Sequence, residues 1–524
     1  MNSARFTGRA LIVLILISVV VRGFLAAFLE FGNDEVYYWT YALYPDYSHF
    51  DHPPMVGFLI QLSSLNLLLD SEFFIRLGAV LLGGLNTWLI FLIGKKMLDA
   101  PTGLYAALLY TGSTYAFIIA GTFILPDAPQ LTFWLLSLYL LVQAFSGSVN
   151  KQSKKYILLA GITLGLALLS KYTSAFLLLG IFLYLIFYDR KWFKTWQIYV
   201  AALIAFLFFL PVLIWNYNND FVSFTFQSDR IGIFESGLRS DFFFTELGGQ
   251  FFYNNPVNFV LGIIALLAFF RGKRLVNKKM GMMLVFISLP LIFLFLFFSL
   301  FRHTLPHWTG PAWTTVILLS AAYLRYLGIK KNNVRRMPGW TIASLAVLTL
   351  VIILGIMQVK GGMLFYHHDL RGQKLGEKDV SLDMYGWRQL SCEFDRILER
   401  EEKPGNIDPY SPFISSRWFP AANIDYYLAK PNGMEVLGIG SLGALHKYVW
   451  ITEERGGLKT GMDAWFLTVS RDFRDPEQMY GKWFESIEPI DTVRIFRNQK
   501  HVMNAYFYYL KNLKQLPENY FVKE

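Results

Sequence analysis

ALIVLILISVVVRGFLAAFLEFGNDEVYYWT, residues 10–40, is the stretch whose reading decides the fold. From Ala10 to Leu29 it is almost wholly apolar, and a hydrocarbon core of roughly 30 Å needs about 20 helical residues to cross it. Arg5 and Arg9 precede the apolar run, which gives it the outline of a signal peptide. A small-residue cleavage site does not follow, because Glu30 through Tyr38 is acidic and bulky, so the expectation is an uncleaved first membrane span. Directly after it stand two adjacent carboxylates, Asp34 and Glu35.

Working outward, apolar runs recur as far as Met357. The 524 residues are 54% hydrophobic and only 16% charged, too apolar a balance for a soluble chain of this length. Eleven spans are expected, at about 10–29, 73–94, 102–121, 128–146, 156–170, 174–188, 196–214, 257–271, 281–300, 308–327 and 340–358. Basic residues test that register. Lys95 and Lys96, Lys151 with Lys154 and Lys155, Arg190 to Lys194, Arg271 to Lys279, and Lys330 to Arg336 all fall on one side, which the positive-inside rule makes cytoplasmic. Met55 to Leu69 is read as an interfacial helix, since another span there would spoil the alternation. The charge of +10 comes in these short bursts and on no continuous face, which excludes nucleic acid as a partner. Cys392 is the single cysteine, so neither an internal disulfide nor a cysteine metal site is available.

Two domains are expected: a transmembrane domain, residues 1–359, and a soluble α/β domain on the non-cytoplasmic face, residues 360–524. The second is read from an amphipathic helical pattern at Leu390 to Leu398 and strand-like runs at Met434 to Leu437, Tyr448 to Thr452 and Trp465 to Val469. There is no internal repeat and no glycine-rich phosphate loop.

The unusual polar residues collect on the outer loops. A carboxylate of the Asp34–Glu35 pair suits a general base that takes the proton of an incoming hydroxyl or amine; the pair equally suits an exposed acidic boundary. Asp51 and His52, before Pro53 and Pro54 and near His49, suit a metal or a substrate hydroxyl, or simply a solvated prolyl turn. Asp127, in LPDAP between two apolar segments, is a functional candidate because ionisable groups there are costly. Lys171 in LSKYT, with Arg302 and His303 at the end of a later span, suits an anionic phosphate at the membrane boundary; snorkelling to headgroups is the other reading of the lysine. Tyr37, Tyr38, Trp39, Tyr41, Trp308 and Trp313 read mainly as an interfacial aromatic belt. A transporter or flippase of lipid-linked sugars is the rival reading; it calls for ionisable groups near mid-membrane and inverted halves, and neither is evident.

DEVYYW, DHPP, LPDAP, LSKYT and RHTLPHWTGPAW occur in this order and, taken together, resemble the bacterial branch of glycosyltransferase family 39, which includes aminoarabinose transferases of lipid A and is related to protein O-mannosyltransferases. The resemblance spans residues 20 to 330 and continues weakly into SSRWFPAANIDYYLAKP. It implies a polytopic α-helical membrane protein of the GT-C type, a polyprenyl-phosphate-sugar donor, a lipid, glycan or protein acceptor, inversion at the anomeric carbon, and a bacterial inner membrane location with the C-terminal domain in the periplasm. Under it, Asp34 and Glu35 are catalytic, with Asp34 as base and Glu35 in support. Asp127 matches the family's second-loop acid and Lys171 a donor-phosphate contact; by their own chemistry Asp51, His52, Tyr172, Arg302 and His303 join these two as candidate substrate-binding residues. Asp51, His52 and Asp127 are candidate ligands for a divalent metal; no other cofactor is implied. DHPP departs from the lysine-containing turn usual in aminoarabinose transferases, which leaves sugar and acceptor open.

Overall fold

The computed structural model describes residues 3–231, 237–331, 337–364, 371–402, 407–408, 410–516 and 521–522. Of the expected basic bursts, Asn332 to Arg336 therefore lies outside the described residues. The chain divides into two units: Met1–Ala27 with Tyr41–Val351, and Phe28–Thr40 with Ile352–Glu524. This differs from a boundary at residue 359, because the short stretch after the first span groups with the C-terminal part.

In the first unit the helices are α1 (Ser3–Phe28), α2 (Asn33–Leu43, in which one division falls), α3 (Met55–Ser63), α4 (Glu72–Met97), α5 (Ala100–Gly112), α6 (Asp127–Phe145), α7 (Lys151–Leu168) and α8 (Ala175–Tyr188). They continue through α9 (Trp196–Asn218), α10 (Val222–Ile231), α11 (Ser240–Tyr253), α12 (Pro256–Phe270), α13 (Lys278–Phe298), α14 (Gly310–Lys330) and α15 (Gly339–Ile356). Among the described residues seven stretches are long and apolar enough to cross a membrane: Phe6–Phe28, Glu72–Met97, Asp127–Phe145, Trp196–Asn218, Lys278–Phe298, Pro306–Lys330 and Gly339–Gly361. The pair α11 and α12, bent by 100°, adds an eighth if it is one broken span.

Each of the eleven expected stretches is at least partly helical, yet four fall short of a clear crossing for local reasons. Residues 102–121 are interrupted: α5 stops at Gly112, Ser113 is extended, and a single π-turn, Tyr115–Ile119, follows. The stretch 156–170 belongs to α7, whose first turn carries Lys151 and Lys154. Residues 174–188 form a short apolar helix, Tyr172–Tyr188, and 257–271 is the second half of the bent pair. The interfacial helix expected over Met55–Leu69 ends at Ser63, after which Leu65, Asn66 and Leu67 take positive φ and reverse the chain.

Helix pairs meet where side chains are absent. A Cβ on Gly161 of α7 would lie 2.6 Å from the Ala201 carbonyl oxygen of α9, and one on Gly180 of α8 would lie 2.5 Å from the Phe286 carbonyl oxygen of α13. Close backbone approach of this kind replaces the hydrophobic effect as the source of packing energy between membrane helices.

The second unit is a small α/β domain. Strands β1 (Phe413–Ser415), β2 (Val436–Gly438), β3 (Gly440–Ser441), β4 (Ala464–Val469), β5 (Phe484–Arg497), β6 (Lys500–Leu513) and β7 (Phe521–Val522) alternate with α16 (Trp387–Glu402), α17 (Trp418–Ile424), α18 (Leu442–Leu445), α19 (Tyr448–Glu454) and α20 (Pro476–Tyr480). The main sheet has the order β2-β1-β4-β6-β5, parallel from β2 to β4 and antiparallel beyond; β3 pairs with β7 apart from it. The long β5–β6 hairpin turns on Asn498 and Gln499, both at positive φ, the conformation that two-residue hairpin turns require. Tyr448 to Thr452, expected as strand, is helical: Tyr448, Ile451 and Thr452 are buried at helical spacing, and that tertiary burial overrides the β preference of the run.

Gly161→Val is expected to destabilise the protein by about 1–3 kcal/mol or more through overpacking against Ala201, whereas Gly147→Val, where a Cβ would meet nothing within 4 Å, leaves the melting temperature unchanged. Thermal unfolding in detergent checks the pair.

Candidate functional site

The first unit gathers most of the expected site residues. Asp127 opens α6, preceded by Pro126, so its carboxylate lies in a helical first turn whose free N–H groups favour negative charge. Lys171 closes the turn after α7 with an extended backbone. The two meet: Lys171 Nζ lies 2.6 Å from Asp127 Oδ2, with side chains 5% and 2% exposed. The Tyr115 hydroxyl donates to Asp127 Oδ1 at 3.0 Å. The break after α5 has its purpose here, since the π-turn carries Tyr115 to the carboxylate, and π-turns of this sort recur at functional sites. Gly310 completes the fit, because a Cβ there would strike the Tyr115 ring at 2.3 Å.

The DHPP turn packs beside this pair. The Met55 backbone N–H donates to the Leu169 carbonyl at 3.2 Å, joining the turn to the one that carries Lys171. Asp51 accepts a hydrogen bond from the Tyr41 hydroxyl, and His49 packs on the Tyr41 ring with centroids 3.7 Å apart and the planes tilted by 41°. Helix α10 holds the loop from its far side: Gln227 donates to the Asp51 carbonyl at 2.6 Å, Ser223 to the His49 carbonyl at 2.8 Å, and Phe226 packs on Phe50. Tyr172 packs against Phe209 and Phe224 as part of the same support. His52 is enclosed there, and removal from water lowers its pKa from 6.5 to about 4; the carboxylates of Asp51 and Asp127 oppose that effect, while Lys171 and Arg230 add to it. His307 lies within the field of Lys171, Asp127 and Arg230 as well.

Arg302 and His303 occupy a neighbouring place. They line a cavity of about 500 Å³ with Asp229, Arg230, Arg239 and Phe242. Arg239 is engaged by Asp241 through a two-pronged ion pair of 2.8 and 3.0 Å. Arg230 links cavity and cluster, stacking on Phe226 at 5.1 Å and on Trp308 at 5.2 Å. Sequence reasoning passed over Arg230, His307 and Tyr115. Arg230 sits between the expected spans 196–214 and 257–271, with no pattern to mark it, and His307 stands inside the RHTLPHW motif, where the sequence does not show which histidine faces inward.

Two expectations change. Lys171 carries the Asp127 ion pair, so a phosphate contact by this lysine competes with a buried carboxylate at 2.6 Å. Asp51, His52 and Asp127 do not fit a metal site: no three such side chains come together to hold an ion among the described residues, and Asp127 has both oxygens occupied by Lys171 and Tyr115.

Asp34 and Glu35 belong to the other unit, in the first turn of α2. They differ in environment. Glu35 is 2% exposed and its carboxylate accepts the Gly32 N–H at 3.0 Å, whereas Asp34 is exposed.

Comparison with known proteins now places the chain. Residues 51–215 match the family described as dolichyl-phosphate-mannose-protein mannosyltransferase. The crystal structure of ArnT from Cupriavidus metallidurans in the apo state superposes with a TM-score of 0.62 over 94% of this chain and 97% of that one, at 12% identity. The same enzyme bound to undecaprenyl phosphate gives 0.63 over the same shares, at 13% identity. The chain thus shares the fold of these structures, with seven helices, or eight if the bent pair is one span, long and apolar enough to cross a membrane among the described residues, and a small C-terminal sheet domain. In sequence it is 25% identical over 302 residues to the lipid A galacturonosyltransferase RgtD of Rhizobium johnstonii, covering 57% of this chain and 61% of that protein. An uncharacterized protein of Aquifex aeolicus is likewise 25% identical, over 57% of this chain and 58% of its own length. The chain therefore matches about three fifths of the length of these curated relatives. The resemblance read from the motifs agrees with the family match over residues 51–215 and with the similarity to a lipid A glycosyltransferase.

Lys171→Met is expected to cost about 3–5 kcal/mol by stranding a buried carboxylate, and the double variant with Asp127→Asn recovers much of the loss; melting of the three proteins decides. His52 gives a pH signature. Held at about 4 in the folded chain against 6.5 unfolded, it stabilises fully above pH 6.5 and the contribution is lost as pH falls toward 4. His52→Gln is expected to flatten that part of the melting-temperature profile.

Proposed function

We propose that the chain is an inverting glycosyltransferase that moves a sugar from a polyprenyl-phosphate donor to an envelope acceptor on the periplasmic face of a bacterial inner membrane. The carrying observation is the cavity lined by Arg230, Arg302 and His303, a cationic space of ligand size in a chain whose fold is that of membrane glycosyltransferases. A polyprenyl phosphate presents its anion at the membrane boundary, and arginine forks bind phosphate with paired hydrogen bonds. The basic bursts on alternate loops support a cytoplasmic N-terminus and a periplasmic C-terminal unit.

In this reading the acceptor's nucleophile attacks the anomeric carbon as the bond from that carbon to the phosphate oxygen breaks on the opposite face. The electron pair leaves with the polyprenyl phosphate, whose charge Arg230 and Arg302 stabilise, so the leaving group needs no acid. The acceptor's proton passes to Asp34. Its exposure at the start of α2 supports it over Glu35, whose carboxylate is occupied with the backbone. Lys171, neutralised by Asp127, serves best as part of the frame that sets the DHPP turn. RgtD, the curated relative whose name states an activity, is a transferase and lends no support to a flippase.

The test is transfer from undecaprenyl-phosphate sugars to envelope acceptors in membranes. Asp34→Asn is expected to lower the rate by about 100-fold or more, the usual worth of a general base, and Arg302→Ala to raise the KM for the donor. Full activity in both variants would remove the mechanism.

A further inference from the structure

The segment Phe28–Thr40 groups with the C-terminal unit because that unit grips it along its length. The grip begins at Glu30, which is 4% exposed. Its Oε2 accepts the backbone N–H of Trp387 at 2.8 Å and that of Arg388 at 3.4 Å. These are among the donors that the 16-residue α16 leaves without partners at its N-terminus, so a carboxylate some 357 positions earlier in sequence does the work of a cap. Lys360 and Arg388 face the same carboxylate, and Tyr385 lies within its field; burial nevertheless raises its pKa above the usual value, the charges and the two N–H groups acting in the opposite sense.

Seven further contacts hold the segment. The Phe31 N–H donates to the Tyr427 hydroxyl at 2.9 Å. Asn33 donates to Asp383 at 2.8 Å and accepts from Asn423 at 3.3 Å. Tyr37 packs on Trp418 with ring centroids 5.1 Å apart and accepts the Lys447 N–H at 3.3 Å. The buried Lys447 ammonium reaches the Thr40 carbonyl at 3.1 Å, and Lys430 lies 5.3 Å from the centre of the Trp39 ring. Between these anchors, and itself exposed, stands Asp34.

We propose that Glu30 is a positioning residue: it fixes the first turn of α2 on the C-terminal unit and thereby sets the direction of the Asp34 carboxylate. This rests on the reading of Asp34 as the base. The C-terminal unit is then the scaffold of the acidic pair and takes part in catalysis through that one segment. A base on a loosely held turn samples many directions, and placement within tenths of an ångström is what catalytic geometry demands.

The full chain in detergent is used for two measurements, amide hydrogen exchange of residues 31–40 and transfer kinetics with an undecaprenyl-phosphate sugar. Glu30→Ala is expected to speed exchange across 31–40 at least tenfold and to lower kcat at least tenfold, with the donor KM within twofold of wild type. Glu30→Gln, whose amide oxygen still accepts the two N–H groups, restores both to within threefold. Asn33→Ala, a milder loosening of the same segment, moves both in the same direction and decides the matter if Glu30→Ala does not fold. Unchanged exchange in the variants overturns the clasp. Faster exchange with unchanged kcat, or a change in donor KM alone, overturns its role in positioning. A wild-type chain that transfers nothing counts against the proposed activity, and the exchange arm then decides the clasp by itself.

Discussion

A buried ion pair organises the first unit. Asp127 and Lys171 lie 44 residues apart in sequence, one at the start of a helix and the other in the turn after the next, and neither charge is tolerable there without its partner. Their meeting fixes where α6 begins and where α7 ends. It also accounts for the interruption between α5 and α6, since a straight continuation would leave Tyr115 on the helix and the second carboxylate oxygen without a donor. The DHPP turn and α10 then pack upon that frame through backbone and side-chain hydrogen bonds.

The same pairing divides the electrostatic work. A lysine already 2.6 Å from a carboxylate presents little net field to a third group. The cavity lined by Arg230, Arg302 and His303 brings several cationic side chains together, and in the proposed reaction it is the place for the donor phosphate. The two acidic positions expected to act together in the reaction, Asp34 and Glu35, differ in environment: Glu35 is buried and accepts the Gly32 N–H, and Asp34 is exposed.

Much of this was legible in the residues. Hydropathy located the long apolar helices of the membrane unit, because in lipid only a helix satisfies its own backbone and the code for it is simple apolar length; it passed over α10 and α11, which lie between two expected spans. Four of the eleven expected stretches are not long unbroken apolar helices, since length in sequence does not reveal a break such as Ser113 or a 100° bend between Tyr253 and Pro256. In the second unit, Leu390–Leu398 and Trp465–Val469 were readable from their periodicity, whereas Tyr448–Thr452 was not, its β-branched and aromatic residues being held helical by burial. The motif residues Asp51, His52, Asp127 and Lys171 were found because ionisable groups beside apolar runs are rare; Arg230 was missed because an arginine in a polar stretch is common.

The sequence by itself determined the class of solvent, most of the apolar helical segments, the clustering of basic residues in alternate loops, and the short list of side chains able to carry chemistry. Only the tertiary structure decided which of those side chains are spent on one another. Pairing between Lys171 and Asp127, capping of α16 by Glu30, and the place of Phe28–Thr40 in the C-terminal unit all depend on contacts across tens to hundreds of residues. No local pattern encodes such contacts, because their energy comes from removing water around two groups at once, and that happens only when the folded chain has brought them together.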